Sequence, residues 1–439
     1  MKDFLTRALQ QHPFGNQISK ILSASLQAVE PGQAVRRFVK RESKNLHIAN
    51  QIYRLDELDR ITVLGLGKAT EAMAGTLLDI LAPHPSRGLL IPKQTFPSPA
   101  SGFDVCVGGH PVPDQNSLIA GNKALEISSR LNERDLFICL ISGGGSALMT
   151  SPYPEIGLEN LQALTQALLS CGARIDEINT LRRHLDRVKG GRIAEAALPA
   201  RVAGLILSDV VGNPLEAIAS GPTAPDPSTK TDALNILEKY GLTEQFNETI
   251  VRFLERSPET PKPESPLFSQ VQNVLIGSNQ LAAQAGLKAA QALGFQTTFL
   301  GDAWQGEARE AAVHICAHLH GNVTRPFCMI GGGETTVTVR GKGQGGRNLE
   351  LALAAVRELS GMENTMLITL ATDGEDGTTG AAGAIVTGET HQHAYTLGLN
   401  SEAFLENNDS FSFFDAIGGL IKTGPTGTNV NDLFFLFGF

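Results

Sequence analysis

Residues 61–81, ITVLGLGKAT followed by EAMAGTLLDIL, decide the fold class. The first half is a short β-branched and apolar run ending in a glycine turn, and the second is a run of helix formers. The same syntax of strand, glycine turn and helix returns at 135–149 as DLFICLISGGGSALM. It returns again at 202–222, ending in an acid, as VAGLILSDVVGNPLEAIASGP. Such alternation predicts an α/β chain with a mainly parallel, doubly wound sheet, whose ligands sit at the carboxyl ends of the strands.

On either side of this stretch the texture changes. Residues 3–58 read as helices, because apolar positions recur at three- and four-residue steps with charges between them. RSPETPKPESPLF at 256–268 is rich in proline, which fixes extended backbone and interrupts helices. The α/β syntax resumes with VQNVLIGSNQLAAQAGLKAAQALG from 271. The expected organisation is therefore a first α/β domain at 1–255, a linker at 256–269 and a second, smaller α/β domain at 270–439.

The composition fits this division. A chain of 439 residues exceeds what one core usually supports. With 42% hydrophobic and 18% charged residues it is ordinary globular material. Its 46 glycines are an excess over the usual share of about 7%, and they cluster at the ends of apolar runs. A net charge of −9 argues against nucleic acid or an anionic membrane as the main partner. The five cysteines form no CxxC pair and read as buried thiols in a reducing compartment. MKDFLTRALQQHPF lacks the apolar centre of a secretory signal, and no stretch reaches the ~18 apolar residues of a membrane span. A cytoplasmic protein is the expectation.

Three loops carry the chemistry. Gly65-Leu66-Gly67-Lys68-Ala69-Thr70 is neither a Walker A loop, since Thr62 stands where the first glycine belongs, nor G-x-G-x-x-G, since Thr70 replaces the third glycine. It remains a strand-to-helix turn whose N–H groups and Lys68 favour an anion. Ser142-Gly143-Gly144-Gly145-Ser146 follows an apolar strand and suits a nest of N–H donors around a phosphate or carboxylate. Gly341-Lys342-Gly343-Gln344-Gly345-Gly346-Arg347-Asn348 precedes a helix, and Arg347 offers a fork matched to phosphate oxygens at a helix end that disfavours a cation without an anion. Asp209 and Asp373 end strands, where a carboxylate can hold Mg²⁺ or accept a proton. Glu334 is another acid at a strand end, whereas Glu375 and Asp376 read as turn residues. His110 stands in a rigid proline turn that would present it to substrate. No group of His, Cys and acids has zinc spacing, and Ser142 and Ser146 lack the G-x-S-x-G context of a hydrolase. Cationic loops plus acids are the inventory of phosphoryl transfer.

At these motifs the chain resembles the glycerate 2-kinase family, whose C-terminal domain is called MOFRL. The resemblance is carried by GLGKAT, GGHPVPDQNS, ISGGGSALM, INTLRRHLDRVKGGRIA and LSDVVGNPLEAIASGPTAPDPST in the first half. In the second half GGGETTVTVRGKGQGGRNLELAL, ATDGEDGTTGAAGAIV, NNDSFSFF and TGPTGTNVNDL carry it. It implies a Rossmann-like N-terminal domain, a smaller C-terminal one, and a cleft between them where ATP, with a divalent cation such as Mg²⁺, phosphorylates D-glycerate at its 2-hydroxyl. Lys68 and Arg347 match the family's Lys and Arg and would hold the moving phosphoryl and the substrate carboxylate. Asp209 or Asp373 would activate the hydroxyl or position the metal. Asn179, Arg183 and Lys189, with Ser142–Ser146 and His110, are implied as substrate or phosphate contacts. Gly345, Gly346, Thr426, Thr428 and Asn429 are implied near the nucleotide. A homo-oligomer is compatible with this reading.

One stretch departs from the pattern. DLFFLFGF at 432–439 is Phe-rich, and burying its rings requires adapted packing or leaves a sticky edge. Two rival functions follow from the same loops. A hydroxypyruvate reductase would need a dinucleotide seat that the first turn lacks, and a sugar-phosphate sensor would leave the strand-end acids without a purpose.

Overall fold

A computed structural model gives the structure of residues 4, 6–320 and 324–439. Expectations that touch residues 1–3, 5 and 321–323 lie outside the described residues. The chain forms two units: Pro31–Ser208 with Asn213–Ile276, and Gly277–Phe439 with Asp209–Gly212 and the described residues up to Glu30.

The first unit begins with a correction. Residues 39–54, expected as helix, form an antiparallel meander of β1 (Val39–Glu42), β2 (Asn45–Ile48) and β3 (Gln51–Arg54). Leu46 and Ile48 are buried on β2 at a two-residue spacing, with Tyr53 of β3 buried beside Leu46, a pattern that the helical spacing before them obscured. Helix does hold for Gly15–Ala28 and Pro31–Phe38.

Six strands build the main sheet of this unit: β4 (Arg60–Leu66), β5 (Ser86–Ile91), β6 (Phe103–Val105), β7 (Asp135–Ile141), β8 (Arg201–Leu207) and β9 (Val271–Gly277). Their order is β6-β5-β4-β7-β8-β9, and the pairs from β6 through β8 are parallel. This is the doubly wound order in which the chain starts in the middle and reverses direction between its first and fourth strands. Parallel strands are covered on both faces, which is why β7 is a continuous apolar run buried along its whole length. Its one acid, Asp135, is buried but accepts from Arg60 Nε at 3.0 Å and from the Asn132 N–H at 2.9 Å.

The Pro-rich stretch is bound into this unit. Asp226 N–H donates to the Pro261 carbonyl at 2.9 Å, Thr260 donates to Asp226 at 2.9 Å, and Lys262 reaches the Ser228 carbonyl. The strand after it, β9, closes the first sheet. The contact boundary therefore falls near residue 277 and not at 256–269.

In the second unit the sheet contains β10 (Gln296–Phe299), β11 (Phe327–Gly333), β12 (Thr365–Ala371), β13 (Gly383–Thr387), β14 (Leu420–Ile421) and β15 (Asp432–Gly438). The order is β10-β11-β15-β12-β13-β14, with only β10 and β11 parallel among the paired strands. The Phe-rich segment is thus a central strand, antiparallel to both neighbours, with Phe434, Phe435 and Phe437 buried. Room for it comes from glycine. Gly331 lies opposite Phe434 in the ladder, and a Cβ there would sit 2.4 Å from the ring. The helix Gly15–Ala28 packs on the helix Asn279–Ala292 in this unit, so closely that a Cβ on Gly286 would lie 2.3 Å from Ser25 Oγ.

Cys139, Cys316 and Cys328 are buried and Cys171 is exposed, all as thiols. No helix among the described residues is long and apolar enough to cross a membrane.

Candidate active site

The carboxyl ends of β4 and β7 lie side by side at the point where the first sheet reverses direction. Lys68 leaves the end of β4 and is exposed, and Ser142–Ser146 leave the end of β7. The two turns are stitched together. Lys68 N–H donates to the Gly143 carbonyl at 3.0 Å, Ala69 N–H donates to Ser142 Oγ at 3.1 Å, and Thr70 N–H donates to the Gly67 carbonyl at 3.3 Å. The N–H groups of Lys68, Ala69 and Thr70 are thus taken by the protein, while no protein acceptor takes those of Glu71 and Ala72 in the first turn of the helix Thr70–Leu81 among the described residues.

The second turn keeps its donors. No protein acceptor takes the N–H groups of Gly144, Gly145 and Ser146 among the described residues. Gly144 has φ +84°, and a Cβ built on it would lie 3.3 Å from the His110 ring and 3.4 Å from Lys68 Cε. His110 and the Lys68 side chain therefore flank Gly144, in the turn whose three amides have no protein acceptor. Burial, with the charges of Lys68 and Lys93 adding, pushes His110 below its ordinary value, so the ring is neutral at pH 7.

Behind this spot stands a polar scaffold. Ser146 Oγ and Ser220 Oγ are 2.7 Å apart, and Ser220 reaches Asn179 Oδ1 at 3.5 Å. Ala219 and Ser220 hold positive φ, +51° and +60°, which residues with side chains adopt at a cost. Lys189 is 1% exposed and donates to the carbonyls of Ser146 at 2.8 Å and Met149 at 2.7 Å, with Asp186 3.5 Å away. Burial lowers its pKa, and Asp186 opposes that. Arg183, also buried, donates to Asp226 at 2.8 Å and to Ser228 and Thr180 at 3.1 Å each. The donors of both cations are thus occupied within the unit, where the sequence suggested contact with substrate.

In the second unit Arg347 is the first residue of the helix Arg347–Leu359. The sequence read a cation there as calling for an anionic ligand; here the protein itself supplies two anions. Arg347 Nε and Nη2 engage Asp432, and Nη1 donates to Glu334 at 2.7 Å. Ladder register places both acids, because Asp432 begins β15 opposite Gly333 of β11, and Glu334 follows Gly333. Burial raises the Asp432 carboxyl to about 7 against the pull of Arg347. Burial alone would lower the guanidinium, but Asp432 and Glu334 together drive it higher, so Arg347 stays charged.

Asp376, read from sequence as a turn residue, caps this helix. Its carboxylate accepts from the N–H of Asn348 at 3.1 Å and of Leu349 at 2.8 Å. The glycines before it serve packing. A Cβ on Gly346 would lie 2.4 Å from Asp376, one on Gly345 2.3 Å from Ser410 Oγ, and one on Gly341 2.2 Å from the Asn407 carbonyl.

Asp373, just past β12, is half-buried, and its Oδ1 accepts from the Glu375 N–H at 3.1 Å. Thr426 N–H donates to its carbonyl at 3.0 Å, and the Thr426 hydroxyl donates to the Thr372 carbonyl at 2.6 Å. The Thr428 hydroxyl donates to the Val29 carbonyl at 2.6 Å, and Asn429 Oδ1 accepts from the Asn431 N–H at 3.0 Å. Asp209 follows β8, half-buried. Among the described residues no group of three or more His, Cys, Asp or Glu side chains is arranged for a metal. Carboxylates singly or in pairs still suit Mg²⁺, which is commonly held by one or two of them plus substrate phosphates. Sequence reasoning missed Asp432 and Ser220; Asp432 begins its strand and reaches the strand-end side of the sheet only because β15 runs antiparallel to β11 and β12.

The sequence matches the family described as a domain of unknown function (DUF4147) over residues 17–255 and the MOFRL family over residues 327–432. The D-glycerate 2-kinase of Thermotoga maritima is 40% identical over 421 residues, 94% of this chain and 96% of its own. A crystal structure of glycerate kinase from Thermotoga maritima superposes with a TM-score of 0.86 at 39% identity, covering 97% of this chain and 100% of that one. A relative from Agrobacterium vitis, 38% identical over 85% of this chain and 86% of its own, is provisionally named hydroxypyruvate reductase.

Proposed function

Because the chain belongs to the glycerate 2-kinase family with its MOFRL domain, we propose that it transfers the γ-phosphoryl group of ATP to the 2-hydroxyl of D-glycerate. The observation that carries this reading is the meeting of Lys68, neutral His110 and the open amides of Gly144–Ser146 at the reversal point of a doubly wound sheet. Donors fixed in advance around developing negative charge are the main requirement of phosphoryl transfer.

In the proposed reaction the 2-oxygen of glycerate bonds to the γ-phosphorus and the bridging oxygen leaves with ADP. Lys68 and the Gly144–Ser146 amides hold the moving phosphoryl, and Arg347 holds an anionic group of the substrates. Of the two strand-end acids, Asp209 and Asp373, one takes the hydroxyl proton and the other holds the magnesium that arrives with ATP.

The reductase reading has less support, because Thr70 stands where the third glycine of a dinucleotide loop belongs and protein partners occupy the N–H groups of Lys68, Ala69 and Thr70. One assay separates the two. The protein is incubated with ATP, Mg²⁺ and D-glycerate, and the product is coupled to enolase without phosphoglycerate mutase. Signal without mutase is the expected result. Signal only after mutase is added would move the phosphoryl to the 3-hydroxyl. NADH consumption with hydroxypyruvate, and no kinase activity, would establish the reductase instead.

A further inference from the structure

Arg347 is held by two carboxylates of unequal freedom. Asp432 is 13% exposed in its side chain, sits on a strand paired on both sides, and engages two of the guanidinium nitrogens. Its main-chain carbonyl is fixed as well, accepting from Asn279 Nδ2 at 2.7 Å. Glu334 is 42% exposed, engages only Nη1, and has Arg347 as its one side-chain partner among the described residues. Only its backbone is anchored, through its N–H to the Trp304 carbonyl at 2.8 Å.

We propose that Glu334 is a resident stand-in for the substrate's anionic group, occupying Nη1 of Arg347 until a phosphoryl or carboxylate displaces it, while Asp432 holds the rest of the guanidinium still. This rests on the reading of Arg347 as an anion-binding residue. The exchange has a selective consequence. A ligand must outcompete a carboxylate already in place, so a dianionic phosphoryl group displaces Glu334 where chloride or a single carboxylate does so poorly. Glu334 thereby sets a threshold on ligand charge, and Asp432 sets the geometry.

Isothermal titration calorimetry with inorganic phosphate tests this on the full-length protein and on Glu334→Gln, Asp432→Asn and Arg347→Ala. An exposed ion pair that must be broken, plus a carboxylate left near the anion, corresponds to roughly 3–10-fold in affinity. Glu334→Gln is therefore expected to bind phosphate about 3–10-fold more tightly, with chloride now competing effectively. Asp432→Asn and Arg347→Ala should each bind it more weakly. Equal or weaker binding by Glu334→Gln, alongside a loss in Arg347→Ala, would overturn the stand-in while leaving Arg347 as an anion site. Unchanged binding in Arg347→Ala, or no binding by any of the proteins, would remove Arg347 from anion recognition and this inference with it.

Discussion

Lys189 is the position where the sequence and the structure make opposite predictions. The sequence suggests a cation for the substrate; the structure gives a buried ammonium whose hydrogen bonds go to the Ser146 and Met149 carbonyls at 2.8 and 2.7 Å. Lys189→Met keeps the length of the chain and removes the charge. Hydrogen bonds to a charged group contribute about 1.5–3 kcal/mol each. Two would be lost, and part of that is regained because a desolvated ammonium no longer has to be buried. Asp186 keeps its own partners, the hydroxyl of Thr150 and the N–H groups of Ser151 and Val188, so it is not left stranded. The net loss comes to about 2–4 kcal/mol. At about 2–4 °C per kcal/mol for a domain of this size, Tm should fall by about 5–15 °C. Turnover should fall about 100-fold as well, because the Gly144–Ser146 amides lose the tether that places them. Thermal unfolding by calorimetry and the enolase-coupled assay read the two effects separately. If Lys189 instead meets the substrate, removing a buried charge leaves Tm unchanged or higher while activity is lost, and that outcome would refute the positioning role.

Other outcomes follow from the same geometry. Gly144→Ala places a methyl group between His110 and Lys68 in left-handed backbone, so stability should drop by about 1–2 kcal/mol and turnover by about 100-fold, measured by melting and steady-state kinetics. His110 titrates below its usual value of 6.5, so kcat/KM should be level through neutrality and decline only on the acid side, and the decline should be absent in His110→Gln. The sign for stability is the same: the unfolded ring binds its proton first as pH falls through 6.5, so folding weakens toward lower pH until the folded ring also protonates. Asp376→Ala removes the cap of the helix Arg347–Leu359 and leaves two N–H groups without an acceptor, for a loss of about 2–3 kcal/mol in chemical denaturation, with Asp376→Asn losing less.

Much of the fold was legible because strand–glycine–helix syntax is local. Each of β4, β7 and β8 is an apolar run followed at once by its turn, and Lys68 and Ser142–Ser146 stand where the syntax puts them. What sequence could not supply was pairing across long separations. Nothing local says that Phe434 will lie against Gly331, or that Asp432 will reach Arg347 across 85 positions. The glycines of 341–346 looked like a ligand loop because close packing against a neighbour and close approach of a phosphate demand the same missing Cβ. Arg183 illustrates the converse, since a buried ion pair and a ligand contact both place a cation beside an acid-rich motif. The meander at 39–54 was missed because its strands are four residues each, too short for alternation to stand out from the helices beside it.

The central placement of β15 has a consequence for biosynthesis. Its partners β11 and β12 are not neighbours to each other, so before residues 432–438 emerge from the ribosome both present open ladder edges. The second sheet can be completed only after translation has passed this segment, whereas the strands from β4 to β9 can assemble while synthesis continues. During that interval the nascent chain carries unpaired strand edges, which a strand of phenylalanines then fills. Chaperone demand should therefore persist until this segment is made, and ribosome-bound chains halted just short of residue 432 should expose the second unit to protease while the first resists it.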